Sequence, residues 1–399
     1  MRLVITGASG FLGRQIVPIL QRHGIEMLLM SRTPETLRQG FPDILVTDYN
    51  NLAQKLKGFD ALLHLAARNN DQLGDLEEFR KVNVMLVRTI TEAALEAGIG
   101  SFINVTSLQA QPGPNASAYA QSKAEGEAYL AGQTGIAIVN LRLPAVYGCE
   151  YRGKLGMLNK LPAALRPAAF QLLAALKPTV HIDHVAQAIL DAVDGRLQGI
   201  QVISDRQIDN IPYAVIKRII DIGFALFVIV FLWWLLLGAW IAVRLNSPGT
   251  AIFAQERVGR HRKPFVCYKF RTMHTGTRQA GTHEMSTSSI TRVGAVLRKT
   301  KVDELPQIWN LLRGNLSLVG PRPGLPVQTD LIAARAERGV FDILPGITGW
   351  AQIQNIDMSD PERLAQTDAE YIARRSILMD LKIILATAIG RGQGDKVSR

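Results

Sequence analysis

The sequence predicts an α/β protein in three parts: a doubly wound parallel sheet, a re-entrant membrane helix, and a small, mainly helical, membrane-associated domain. Three observations lead to this prediction. Short apolar runs alternate with segments of helical length over residues 1–205, which is typical of a parallel sheet covered on both faces. An uncharged apolar block fills residues 222–243. Amphipathic stretches separated by Gly/Pro turns make up residues 247–399. The linker and membrane helix therefore occupy residues 206–246.

The composition narrows the classes of partner. A net charge of +11 and a pI near 9.8 suit phosphorylated substrates and an anionic membrane face. Nucleic acid would suit the charge too, but the sequence contains neither an aromatic platform nor a recognition helix, so we expect no nucleic-acid partner. Two cysteines without metal-ligand spacing indicate a reducing compartment rather than a disulfide framework.

A glycine-rich turn, TGASGFLG, follows the first predicted strand and opens a helix. Glycines in this context let the backbone approach a pyrophosphate, and the helix N-terminus supplies N–H donors. The motif predicts a Rossmann-like dinucleotide site. Its candidate residues are Gly7, Gly10, Phe11, Leu12 and Gly13.

The second predicted strand ends at Arg32, where NAD-preferring folds usually carry an acid for the ribose hydroxyls. An arginine can instead hold a 2′-phosphate, so the sequence favours NADP and leaves NAD open. Asp48, Ala66 and Lys123 complete the candidate cofactor site.

A second cluster follows a later strand. Ser107 ends that strand, and Tyr119 and Lys123 are spaced to share one face of a helix. A neighbouring ammonium lowers the pKa of a phenol, so we expect Tyr119 to exchange a proton with a sugar hydroxyl or carbonyl. Ser107 is placed to hydrogen-bond the same oxygen.

Residues 1–205 resemble the extended short-chain dehydrogenase/reductase family that acts on nucleotide-sugars. The resemblance rests on the residues above and on HLAA, KVNV, LRLPAVYG and VHIDHVAQAI. It implies NAD(P) binding and hydride chemistry, with Tyr119 as acid/base, Lys123 supporting it and Ser107 orienting the substrate. Reductase and epimerase both stay open. Because the substrate-binding region is short, a non-catalytic nucleotide-binding module is the alternative.

The apolar block at 222–243 is roughly 33 Å long as a helix, enough to cross a hydrocarbon core. Basic residues flank the block on both sides: Lys217 and Arg218 before it and Arg244 after it. Positive charge is therefore not concentrated at one end, as it would be for a span with a defined orientation. NAD(P) and UDP-sugars are cytoplasmic, so both flanking domains belong on one side and the helix should be re-entrant. A single span is the alternative. No proline lies in the block, which leaves Gly223 and Gly238 as candidate bends.

Adjacent acids, Asp303 and Glu304, stand in a strongly basic segment of the C-terminal half. Two carboxylates with a divalent cation can hold a diphosphate, and a carboxylate can itself be a nucleophile. Arginines bind phosphate oxygens in pairs of hydrogen bonds. The neighbouring cations are Arg298, Lys299, Lys301, Arg313 and Arg322.

From about Ile211 onward the chain resembles the bacterial sugar transferase family, the monotopic phosphoglycosyl transferases. The motifs are KFRTM, LRKTKVDELPQIWNLLRGNLSLVGPRP and PGITGWAQI. The resemblance implies that Asp303 attacks the sugar-bearing phosphorus of a UDP-sugar and expels UMP, and that Glu304 takes part in Mg²⁺ binding together with Asp303. The implied phosphate-binding residues are Arg257, Lys269, Arg271, Arg298 and Arg322.

Together the two resemblances imply a bifunctional enzyme on the cytoplasmic face of a bacterial inner membrane. Polyprenyl (undecaprenyl) phosphate would accept the sugar-1-phosphate, and the first domain would modify the UDP-sugar donor. We also expect contact with anionic membrane lipid, and a homodimer is compatible with the sequence. The sequence does not name the sugar.

Overall fold

A computed structural model of the protein describes residues 1–111, 113, 116–148, 150–275 and 289–391. The chain forms two compact units. The N-terminal unit contains residues 1–170 and 178–205, and the C-terminal unit contains residues 171–177 and 206–399.

A seven-stranded parallel sheet forms the centre of the N-terminal unit. The strands of this unit are β1 (Arg2–Thr6), β2 (Glu26–Met30), β3 (Leu45–Thr47), β4 (Ala61–His64), β5 (Ser101–Ser107), β6 (Ala137–Leu143), β7 (Ala145–Tyr147), β8 (Thr179–His181) and β9 (Gly199–Val202). The sheet order is β3-β2-β1-β4-β5-β6-β9, and β7 pairs separately with β8, also in parallel. The strand order reverses between β1 and β4, and such a switch point opens a ligand crevice at the carboxyl ends of the strands.

Helices connect these strands. They are α1 (Phe11–Arg22), α2 (Pro34–Gly40), α3 (Leu52–Leu56), α4 (Leu76–Arg80), α5 (Leu86–Ala97), α6 (Ala118–Ala131), α7 (Arg166–Leu176) and α8 (Ile182–Val193). A π-helical turn, Lys81–Met85, joins α4 to α5, and a 3₁₀ segment, Gly153–Lys160, precedes α7. Most of α7 belongs to the C-terminal unit.

Both faces of the sheet are covered. Leu3 and Ile5 of β1 belong to one buried cluster with residues of α1 and α8, whereas Val4 belongs to a second cluster with residues of α5. Alternate residues of one strand therefore enter opposite cores, which explains the continuous apolar runs in the sequence. The predicted doubly wound, Rossmann-like sheet is confirmed.

The C-terminal unit is mainly helical. Its helices are α9 (Ile211–Phe231), α10 (Trp233–Asn246), α11 (Arg292–Thr300), α12 (Ile308–Arg313), α13 (Thr329–Glu337), α14 (Trp350–Ile353), α15 (Pro361–Arg374) and α16 (Ile377–Ala388). Its strands are β10 (Ile252–Val258), β11 (Pro264–Phe270), β12 (Ser317–Val319) and β13 (Gly346–Thr348). The pair β10–β11 is antiparallel, and β12–β13 is parallel. Short 3₁₀ segments occupy Arg260–Arg262, Val302–Gln307 and Val340–Asp342.

The apolar block forms two helices, α9 and α10, that meet at an angle of 71°. The break lies at Leu232 (φ −116°, ψ 12°), so neither candidate glycine, Gly223 nor Gly238, forms the bend. The indole of Trp234 donates a hydrogen bond to the carbonyl of Phe231 at 2.9 Å, which satisfies a backbone group released by the break. Among the described residues, no single helix has the length and apolarity of a membrane span, whereas this bent pair meets that requirement jointly.

Candidate active sites

The turn between β1 and α1 lies against the loop that follows β4. Gly7 has a φ of 75°, and a Cβ at this position would lie 2.4 Å from the backbone nitrogen of Ala66. Only glycine fits there. Gly10 caps α1 without a side-chain hydrogen bond, so the N–H groups of the first turn, from Phe11 and Leu12 onward, have no side-chain acceptor at the cap. An uncapped helix start at the switch point fits the pyrophosphate of a dinucleotide.

Two further cofactor candidates lie beyond β2 and β3. Arg32 is exposed two residues after β2. Asp48 accepts hydrogen bonds from the backbone and side-chain nitrogens of Asn50, both at 3.0 Å, and pairs with Lys55. The bond from Lys55 lowers the pKa of Asp48. Asp48 is thus engaged within its own loop, and Arg32 remains the better candidate for contact with the ribose.

Ser107, Tyr119 and Lys123 come together at the carboxyl end of β5 and the start of α6. The hydroxyl of Ser107 hydrogen-bonds the phenol of Tyr119. Burial is the largest influence on this phenol and raises its pKa, the bond from Ser107 lowers the pKa, and the charge of Asp71 raises it. The predicted lowering of the pKa of Tyr119 by Lys123 is therefore wrong for the protein alone, because burial outweighs the other influences.

Lys123 is almost completely buried, and burial lowers its pKa to about 8 although the charge of Glu127 opposes the shift. Within the part of the chain that the structure describes, its ammonium has no hydrogen-bond partner. The ribose hydroxyls of a bound nicotinamide nucleotide would supply acceptors for this ammonium. The residues present thus fit NAD(P).

Asn83, from the KVNV motif, lies in the π-helical turn and holds the loop after β4. Its Oδ1 accepts from the backbone N–H of Arg68 at 3.0 Å, and its Nδ2 donates to Arg68 O at 3.2 Å and to Ser122 Oγ at 3.0 Å. His64, which the sequence did not single out, shares a 2.8 Å hydrogen bond with Thr6. Burial lowers its pKa to about 3, so this histidine is neutral.

In the C-terminal unit the acidic pair lies in the 3₁₀ segment after α11. Glu304 Oε1 accepts from Lys269 Nζ at 2.8 Å and lies 3.2 Å from Arg322 Nη2. Lys269 comes from β11, and Arg322 comes from the loop after β12. Two separate elements therefore bring a cation to this one carboxylate.

Asp303 is 8% exposed. Burial, followed by the charge of Glu304, raises its pKa to about 6, against the opposing charges of Lys269, Arg298 and Arg322. These three cations are thus close enough to influence Asp303 electrostatically. At neutral pH the carboxylate is mostly ionised yet poorly solvated, which suits a nucleophile.

The other predicted phosphate ligands differ in their surroundings. Arg298 Nε donates to Thr272 Oγ1 at 2.9 Å, and this arginine acts on Asp303. Arg271 is buried and donates to the backbone oxygens of Ser247 and Pro248 at 2.8 and 2.7 Å. Its guanidinium holds the SPG turn, and the phosphate-binding role of Arg271 stays a prediction.

The loop that carries Arg322 is held along its backbone, at residues 321–324. Gly346 N donates to Pro321 O at 2.8 Å, Arg257 Nη1 donates to Pro323 O at 3.1 Å, and Val258 N donates to Gly324 O at 3.0 Å. A Cβ at Gly346 would lie 2.1 Å from the nitrogen of Gly320, which explains the glycine of PGITG. Arg257, predicted to bind phosphate, thus supports the loop.

Polar residues of α9 anchor this region from the other side. Asp221 accepts from Leu318 N at 2.7 Å and from Ser317 Oγ at 3.0 Å, both in β12. Lys217 Nζ donates to Val319 O at 2.9 Å and to Asp380 at 2.8 Å. Asp380 also accepts hydrogen bonds from the hydroxyls of Tyr213 and Tyr371. The sequence reasoning missed this network, although KRIIDIG and SILMDLKIIL carry three of its members.

The side chains around Asp303 and Glu304 determine whether the predicted Mg²⁺ could bind there. The described residues contain no group of three or more His, Cys, Asp or Glu side chains suited to a metal ion. Lys269 and Arg322 offset the charge of the two carboxylates and disfavour a bare cation, but the site fits a cation that arrives with a diphosphate. Mg²⁺ is usually bound through one or two carboxylates plus substrate phosphates.

Two protein families match the chain. Residues 3–199 match the NAD dependent epimerase/dehydratase family, and residues 212–391 match the bacterial sugar transferase family. Both resemblances predicted from the sequence motifs are thereby confirmed.

Relatives of the C-terminal half include an uncharacterized sugar transferase, EpsL, of Bacillus subtilis (strain 168). It is 38% identical over 177 residues, which cover 43% of this chain and 85% of the relative. The UDP-glucose:undecaprenyl-phosphate glucose-1-phosphate transferase of Xanthomonas campestris pv. campestris is 35% identical, over 49% of this chain and 43% of the relative. The UDP-N-acetylgalactosamine-undecaprenyl-phosphate N-acetylgalactosaminephosphotransferase of Aeromonas hydrophila is 33% identical, over 53% of this chain and 51% of the relative. The chain thus spans about half the length of these last two relatives.

Solved structures are similar to about half of this chain. The UDP-N-acetylglucosamine 4-epimerase of Bacillus cereus is 20% identical with a TM-score of 0.41, covering 51% of this chain and 78% of that one. The enzyme WbmH of Bordetella bronchiseptica in complex with NAD⁺ is 22% identical with a TM-score of 0.41, covering 51% and 75%.

The raised pKa of Asp303 predicts a pH-dependent cost to stability. As pH rises from about 4 to about 6, the unfolded state releases the proton first, so the folded state loses stability across this window. The variant Asp303→Asn removes this loss and should be more stable above pH 6, by about 1–3 kcal/mol. Melting temperatures in detergent with EDTA, measured from pH 4 to 8, should diverge as pH rises. Asp330→Asn, an exposed control, should follow the wild type, and parallel curves for Asp303→Asn and wild type would contradict the assignment.

Proposed function

Because the chain belongs to the bacterial sugar transferase family through its C-terminal half, we propose that this half transfers a sugar-1-phosphate from a UDP-sugar to undecaprenyl phosphate. The observation that carries the proposal is the environment of the acidic pair. Asp303 is buried yet influenced by three cations, and its neighbour Glu304 is bound by Lys269 and Arg322. The transferase domain is residues 247–399, the linker and membrane helix are 206–246, and the dehydrogenase-like domain is 1–205.

In the first step a carboxylate oxygen of Asp303 attacks the β-phosphorus of the UDP-sugar. An O–P bond forms, the bond from the β-phosphorus to the bridging oxygen breaks, and UMP leaves with the electron pair. The result is a phosphosugar bound to Asp303 as an acyl phosphate. Arg322 and Arg298 offset the charge that collects on the phosphate oxygens.

In the second step an oxygen of the lipid phosphate attacks the same phosphorus, and Asp303 leaves as a carboxylate. The product is undecaprenyl-diphospho-sugar. Asp303 and Glu304 would hold Mg²⁺, which supplies charge neutralisation at the diphosphate when bound. Glu304, through Lys269 and Arg322, keeps those two cations directed at the site.

The lipid acceptor requires a membrane location, and the bent helix pair supports one. Large apolar side chains of α9 and α10, among them Phe231, Trp233 and Trp234, are more than half exposed. Such a surface is stable in lipid and costly in water. The pair acts as a re-entrant anchor in the bacterial inner membrane, with both ends at the cytoplasmic face, where the exposed Arg244 meets anionic lipid.

The N-terminal half prepares the donor in this proposal. The family match supports NAD as the cofactor, while Arg32 leaves a contact for the 2′-phosphate of NADP. Tyr119, hydrogen-bonded by Ser107, exchanges the proton at the sugar oxygen, and a bound oxidised nicotinamide would add the positive charge that the protein alone lacks. Epimerisation or reduction at a sugar carbon follows from the same groups. Joining the two activities in one chain raises the local concentration of donor at the transferase.

Loss of Asp303 should abolish UMP release. Detergent-purified protein with Mg²⁺, undecaprenyl phosphate and a panel of UDP-sugars should release UMP, and Asp303→Asn should reduce the rate at least about 10³-fold because the nucleophile is gone. The control Asp330→Asn should retain the wild-type rate. Substantial UMP release by Asp303→Asn would overturn the role of this aspartate.

Tyr119→Phe should abolish conversion of the sugar by the first domain without loss of NAD binding. The measurement is NMR of UDP-sugars incubated with NAD⁺ or NADPH, beside cofactor titration by fluorescence. Tyr129→Phe, on the same helix, serves as the control and should remain active. Cofactor binding without turnover in the wild type would instead favour a regulatory or scaffold module.

Both ends of the helix pair should be accessible from the same side of the membrane. Single cysteines introduced by Asp209→Cys and Leu245→Cys, with Cys149→Ser and Cys267→Ala, should react with an impermeant maleimide only in inverted vesicles. Labelling of the two sites from opposite sides would demonstrate a single span.

A further inference from the structure

A buried ion pair joins α13 to α15 beneath the loop that carries Arg322. Arg335 Nε donates to Asp368 Oδ2 at 2.9 Å, and Nη2 lies 2.7 Å from the same oxygen. Both side chains are 3% exposed. Neither residue belongs to the motifs that indicated the active site.

The same guanidinium has a third contact. Arg335 Nη1 donates to the backbone oxygen of Arg322 at 2.9 Å. Four consecutive carbonyls, those of residues 321–324, each accept a hydrogen bond. The carbonyl of residue 322 accepts from Arg335, and its neighbours accept from Gly346 N, Arg257 and Val258 N as described above. The carbonyl of the functional residue itself is therefore held by a buried ionised side chain.

Stability alone is a poor explanation for this pair. Burial raises the pKa of Asp368 even with Arg335 beside it, so the carboxylate is costly to ionise at this position. Apolar residues of similar size often replace buried ion pairs without loss of stability. Such residues could not donate to the carbonyl of Arg322, and this hydrogen bond distinguishes the arginine from an apolar substitute.

We propose that Arg335 is a positioning residue for Arg322, fixing the backbone from which the phosphate-binding guanidinium extends, with Asp368 orienting Arg335. This inference rests on the proposed transferase function. In this inference the position of the phosphate-binding guanidinium depends on Arg335, which touches neither substrate nor the acidic pair. Displacements of about 1 Å at such a group reduce rates by roughly 10²-fold.

The test combines two changes in a cycle: Arg335→Met with Asp368→Leu, which removes both charges, and Arg322→Ala. The four proteins are compared by kcat and KM for UMP release and by melting temperature. The pair variant should melt near the wild type yet lose about 10- to 100-fold in kcat/KM, mostly in kcat. When the pair variant is combined with Arg322→Ala, kcat/KM should fall no further than in Arg322→Ala alone, because the pair acts through Arg322. Arg338→Met, which breaks the exposed pair with Glu362, is the matched control and should retain activity.

Two results would overturn the inference: wild-type activity in the pair variant, or a loss that multiplies with that of Arg322→Ala. If the pair variant does not fold, Arg335→Lys keeps a charge opposite Asp368 but lacks the fork that reaches both partners. Full activity in this variant would equally overturn the inference. Absence of UMP release by the wild type on every donor would instead refute the transferase. UDP affinity, measured by calorimetry across the same cycle, would then decide the role of Arg335.

Discussion

The C-terminal unit depends on a few hydrogen bonds between α9 and β12. Asp221 binds the backbone of Leu318, and Lys217 binds the carbonyl of Val319. The chain continues directly from Val319 into the loop of Arg322, so the position of this arginine depends on a helix whose next turns are apolar. These polar side chains are buried and paired, and loss of one partner would leave an uncompensated group at a cost of about 1–3 kcal/mol. The bent apolar helix and the loop of Arg322 are therefore parts of one packed structure.

The acidic pair shows how two adjacent carboxylates acquire different roles. Glu304 contacts Lys269 and Arg322 directly, whereas Asp303 is buried and has its pKa raised. Glu304 holds these two cations in place. Asp303 keeps a reactive, poorly solvated oxygen. The 3₁₀ geometry of Val302–Gln307 helps to direct neighbouring side chains differently, which a regular helix at this point would do less sharply.

The families of both halves could be predicted from the sequence because they depend on short motifs with local geometry. The glycine turn, Tyr119 and the acidic pair are site predictions from the same motifs. Sequence reasoning could not predict features that lack a local sequence signal or that depend on contacts between distant segments. The bend at Leu232 carries no proline or glycine. The contacts of Arg271 and Arg257 involve loops that only the fold brings near. Arg335 contacts Arg322 through tertiary packing alone. The pKa of Tyr119 could not be predicted from its spacing to Lys123, since burial is a property of the whole unit.

The contact of Lys217 with Asp380 also bears on how the protein is made. These residues are 163 positions apart, and Tyr213 is 167 positions from the same carboxylate. During synthesis α9 leaves the ribosome long before α16. Lys217 and Tyr213 therefore have no access to Asp380 until α16 has been made. During that time the apolar turns beside them favour an apolar environment. Contacts of such sequence separation form late and slowly. A chain that lacks α16 leaves Lys217 and Tyr213 without Asp380, so the buried network of α9 is complete only when the C-terminal helices are present.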